Sequence, residues 1–133
     1  MTIAVIAAVF CIFANLFVAL FQAALALGAP MGEYAWGGRN VGILPKNYRL
    51  ASGLAALVLL AISGHYASVI GWLPSLLNDH LRAYSLWALT AFFALSFVGN
   101  LASKSKAESK MFIPISGAIL LANLVILVFY RIG

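Results

Sequence analysis

The chain has 133 residues, 65% hydrophobic and only 8% charged, against about 25% charged in a soluble domain, which excludes an ordinary water-soluble globule. The formal net charge of +5 does not point to nucleic acid, because the basic residues flank hydrophobic stretches and build no soluble basic face; membrane lipids with anionic headgroups are the simpler partner. Charges are absent before Glu33, between Arg49 and Asp79, between Arg82 and Lys104 and between Lys110 and Arg131, gaps of 32, 29, 21 and 20 residues.

A helix needs about 20 apolar residues to cross a hydrocarbon core, and all four gaps are long enough. Without water the backbone must bond to itself, which a helix does within one segment. A membrane β-barrel would show short stretches of alternating polarity, and none is visible. The expected fold is therefore all-α, an integral membrane antiparallel four-helix bundle. It forms a single transmembrane domain over 1–133, with spans near 3–27, 47–72, 80–101 and 110–130.

The first span ends at Gly28-Ala29-Pro30, a helix stop. Ala24-Leu25-Ala26 imitates a signal-peptide cleavage site, but no basic segment precedes the long apolar run, so the span is expected to be retained. It holds Cys11, the single cysteine of the chain, which leaves the redox compartment open. Loop one follows, with Gly28, Gly32, Gly37, Gly38 and Gly42, and with Tyr34 and Trp36 as interfacial anchors. Pro30 and Pro45 bracket it with rigid turns, so the loop should be a structured hairpin. Pro45 suits the first turn of helix two, which is expected to run to Trp72 before Pro74. Asp79 is the expected N-cap of helix three. Helix four has two candidate starts. Ser105 and Glu108 have capping-box spacing, which would begin the helix in loop three and leave Pro114 beyond the first turn; the other start is near Lys110.

Loops one and three carry Arg39, Lys46, Arg49, Lys104, Lys106 and Lys110, against Arg82 and Arg131 on the other side. The excess of basic residues places loops one and three in the cytoplasm and both termini outside. No internal repeat is evident.

Few polar groups lie within the spans. Asn15 and Gln22 are seven residues apart on one helix face, with Cys11 one turn before Asn15; Asn123 in span four lies at a similar depth to Asn15. They are candidates for interhelical hydrogen bonds or for a polar path. His65 follows Gly64 in helix two and is expected to bond a serine or a carbonyl. Ser52, Ala56, Ser63 and Ala67 form a small-residue stripe, and Gly64-x-x-x-Ser68 is a further close-packing pair. In loop one, Glu33 stands near Arg39, Lys46 and Arg49, which suggests a salt bridge, and Trp36 completes the set of loop candidates. No catalytic set, P-loop or metal-ligand spacing is present, so no catalytic residue, metal or cofactor is expected.

The run Gly28-Ala29-Pro30-Met31-Gly32-Glu33-Tyr34-Ala35-Trp36-Gly37-Gly38, with Leu44-Pro45, Arg49 and Ser52 after it, resembles a pattern in small four-span bacterial membrane proteins of unassigned function. Met111, Phe112 and Pro114 match that group's start of span four. The resemblance implies a bacterial inner-membrane protein and no particular activity. The residues point first to a structural or accessory role through helix packing, with homo-oligomerisation open. A small oligomeric transporter or channel lined by Asn15, Gln22 and Asn123 is the alternative. An enzyme acting on a lipid or quinone is the third reading.

Overall fold

The computed structural model describes residues 2–129; Arg131, and Tyr130 at the end of the expected fourth span, lie outside the described residues. In chain order it consists of α1 (Ile3–Ala26), two 3-10 turns (Gly32–Tyr34 and Trp36–Gly38), α2 (Lys46–Val69), α3 (Asp79–Ala102) and α4 (Lys106–Phe129), with no strand among the described residues. Each helix has 24 residues, about 36 Å at the usual rise. All four are long and apolar enough to cross a membrane.

Local chemistry sets the ends. The Thr2 side chain accepts from the Val5 N–H at 3.2 Å and caps α1. At its other end Gly28, with φ of +100°, donates to the Leu25 carbonyl, and Ala29 donates to Ala24. This pair of bonds is a Schellman motif, which glycine makes accessible. The same motif ends α2: Gly71, with φ of +84°, donates to Ser68, and Trp72 donates to Ala67. Helix α2 therefore stops at Val69, short of the expected Trp72. Asn78, not Asp79, caps α3 by accepting from Leu81 at 2.9 Å; Asp79 instead stands 3.6 Å from Arg82. Ser105 accepts from the Glu108 N–H at 3.1 Å, so α4 starts in loop three and runs through Pro114.

Neighbouring helices are antiparallel. Arg49 at the start of α2 reaches Ala26 at the end of α1, and Ser63 further along α2 reaches back to Ile12. Asn100 late in α3 meets Ser116 early in α4, and the Phe21 ring of α1 packs at a tilt against Phe112 of α4. Packing runs in the order α2, α1, α4, α3, and α2 and α3 have no extensive contact. The bundle is thus a ring left open between its outer two helices. The α2 stripe of Ser52, Ala56, Ser63 and Ala67 is buried, as its small side chains predict. Among the described residues nothing lies within 4 Å of the position a Cβ would take on Gly64, so the Gly64 half of the Gly64-x-x-x-Ser68 pair makes no close contact with another helix there. The outward faces are apolar; Phe13, Leu57, Trp87 and Leu95 are largely exposed.

Candidate functional site

Loop one is folded onto the end of the bundle. The Gly32 N–H donates to the Gly42 carbonyl at 2.8 Å and closes the loop on itself. Gly32 lies so close to the backbone of Asn40 that no Cβ fits there. Loop three then fastens it from outside: the Ser105 hydroxyl donates to the Glu33 carbonyl at 2.6 Å, and the Gly37 N–H donates to the Glu108 carboxylate at 3.1 Å. Trp36 takes a left-handed conformation, φ 54°, uncommon for a bulky residue. That turn carries its indole N–H to the Ser52 hydroxyl, 2.9 Å away, and its ring against Tyr48. Leu44, Ala35 and Tyr34 pack on Phe21, Leu25 and Phe112.

The expected salt bridge of Glu33 does not form. Among the described residues the one ion pair is Arg82 with Asp79. Arg49 instead donates from Nε to the Ala26 carbonyl at 3.1 Å, satisfying an exposed end of α1 where a cation also meets the favourable end of the helix dipole. Arg39 is exposed. One Glu33 carboxylate oxygen is buried with no hydrogen-bond partner.

Beneath the loop, the gap in the ring is a cleft of about 470 Å³. Val18 and Ile115 form its floor, Ala55, Val58 and Leu59 one wall, and Phe92 and Phe93 the other. Val58 and Phe92 are about half exposed and mark its mouth. Toward loop one the cleft shares Val18, Gln22, Trp36, Ser96, Asn100 and Phe112 with a vestibule of about 330 Å³, where Tyr34, Gly37 and Glu108 join the wall. At the far end α2 and α3 are clasped by His65 and Ser85, 2.8 Å apart. Ser85 donates its single hydrogen to the Arg82 carbonyl, so it accepts from His65 Nε2–H.

The structure separates the intramembrane candidates. Asn15 and Gln22 both border the cleft. Asn15 donates from Nδ2 to the Cys11 carbonyl at 2.8 Å, which fixes its amide orientation and leaves Oδ1 buried without a partner, as is Gln22 Oε1. Buried polar atoms are nearly always paired, so two unpaired acceptors beside one cavity stand out. Asn123 does not line the cleft. It donates to the Ile119 carbonyl at 2.9 Å and accepts from the Tyr66 hydroxyl at 2.5 Å, a closed interhelical tie between α2 and α4.

The sequence did not mark Ser96, Asn100 and Ser116 as cleft residues or Glu108 as a vestibule residue. Ser96 and Asn100 are one turn apart on α3, and that spacing was an available signal. Glu108 was hidden by its resemblance to a capping residue. The two cavities together present one charged side chain, Glu108, and no His, Cys, Lys or Arg. Such a wall can hold an apolar body and a few hydrogen-bond donors. No family model, no curated protein and no solved structure matches the chain.

Proposed function

We propose that this chain is a multi-pass protein of a bacterial inner membrane that holds one amphiphilic molecule in the cleft between α2 and α3. Loops one and three face the cytoplasm and both termini lie outside, an orientation supported by the basic residues of those loops. The bacterial setting is supported by the resemblance carried by Gly28 to Ser52. One observation carries the binding reading: a mostly apolar cleft of about 470 Å³ bordered by Asn15 and Gln22, each of which has a buried amide oxygen without a partner. Ligand sites combine these features, an apolar concavity with a few polar groups that fix orientation. A path across the bundle has less support, because Asn123 is tied to Tyr66 outside the cleft.

The role is that of an accessory protein that binds a lipid or lipid-like molecule laterally from the bilayer. Native mass spectrometry of protein extracted with its own lipids tests this. One amphiphile per chain should survive on the wild type and be lost from Ala55→Trp, which fills the cleft. Equal, non-stoichiometric lipid on both would overturn the proposal.

A further inference from the structure

We infer that the head of the bound amphiphile is an alkylammonium held by Glu108 in the vestibule under loop one; this rests on the cleft reading above. Glu108 occupies the third position of α4, where a capping box would turn its side chain back to the Ser105 N–H. Here that N–H donates to Ser103 Oγ at 3.2 Å, and the carboxylate turns to the Gly37 N–H. One carboxylate oxygen is thereby used and the other bonds nothing among the described residues. The side chain is only 9% exposed, lines the vestibule and has no counter-ion among the described residues. Burying an unpaired carboxylate costs free energy that a cation would offset.

The neighbouring groups match an ammonium. Its N–H donors would meet Glu108 and the Ser96 hydroxyl, and the Gln22 side chain lines the same wall. Trp36, Tyr34 and Phe112 add aromatic surface, which attracts cations. An anionic head finds no Lys or Arg in that wall. Lys104, Lys106 and Lys110 stand at this end of the bundle outside the vestibule. The vestibule lies at the loop end of the bundle, so the head would sit there with its tail directed along α4. From Glu108 to Ile119 that helix offers about 16 Å, enough for a medium-length alkyl chain.

The test uses dodecylamine and dodecanol, which share a tail and differ in the head. Each is titrated into the full chain in phosphatidylcholine nanodiscs and followed by Trp36 fluorescence, with Trp72→Phe and Trp87→Phe removing the other indoles. A charge-assisted bond is worth roughly twice a neutral one, so the amine should bind about tenfold tighter than the alcohol. Glu108→Gln should lower amine affinity to that of the alcohol and leave the alcohol unchanged. That variant keeps an oxygen for the Gly37 N–H; should it not fold, the wild-type ratio of the two affinities decides alone. Equal affinities in the wild type would overturn the ammonium head while leaving the cleft reading intact. Absence of saturable binding by both would overturn the cleft reading and this inference with it. Discs containing phosphatidylethanolamine identify the source. Weaker apparent dodecylamine binding there supports an ammonium site filled by a lipid headgroup, and unchanged binding supports one filled by a free amine.

Discussion

Asn15 and Asn123 are the same residue at a similar depth in α1 and α4, and the structure gives them opposite surroundings. Asn123 has both ends of its amide engaged, by Ile119 and by Tyr66. Asn15 has one end engaged and one unpaired beside the cleft. Their depth was legible in the sequence. Their partners were not, because Tyr66 comes from a helix whose rotation only packing determines. An interhelical hydrogen bond in a membrane contributes about 0.6–2 kcal/mol. Tyr66→Phe should therefore lower unfolding stability by about 1 kcal/mol, read as a lower thermal midpoint in detergent. Asn15→Leu, which removes an unpaired acceptor, should cost less than about 0.5 kcal/mol yet alter amphiphile binding. A large loss of stability in Asn15→Leu would show that this side chain is structural glue.

At the scale of elements, the charge gaps and turn residues marked all four helices in the sequence, with errors confined to their ends. Pro74 as the stop predicts too long an α2, because Gly71 already supplies the left-handed residue that ends it. The folding of loop one was legible only as rigidity from glycine and proline. Its fastening was not, since Glu108 and Gly37 are 71 residues apart and Glu108 fits a local capping motif equally well. Two glycine substitutions separate these cases. Gly32→Ala collides with the Asn40 backbone and should release the loop, exposing Trp36 to aqueous quenchers and raising protease sensitivity between α1 and α2. Gly64→Ala meets open space and should be neutral or stabilising by up to about 1 kcal/mol. A change in oligomeric state in Gly64→Ala would instead reveal a contact with a second copy.

For the molecule as a whole, the open ring follows from which helices carry small residues. Helix α1 meets α2 through the buried Ser52, Ala56, Ser63 and Ala67 stripe, so those two close tightly. Helix α3 buries little beyond Leu86, Thr90 and Phe93 and stands off from α2. The sequence disclosed four helices apolar enough to span a membrane, but not this standoff, because apolar faces toward lipid and toward a cleft have the same composition. The proposed sidedness predicts that alkaline phosphatase fused at the C-terminus is active and that a cytoplasmic reporter there is silent; the reverse would invert the topology. The central claim is lateral occupancy of the cleft by one amphiphile. Its most direct measurement is quenching of Trp36, with Trp72→Phe and Trp87→Phe in place, by a bromine-labelled dodecanol in nanodiscs. The account predicts quenching that saturates at one molecule per chain and disappears in Ala55→Trp when the added indole is subtracted. Quenching that rises linearly with the alcohol's mole fraction, and equally in both proteins, would contradict it.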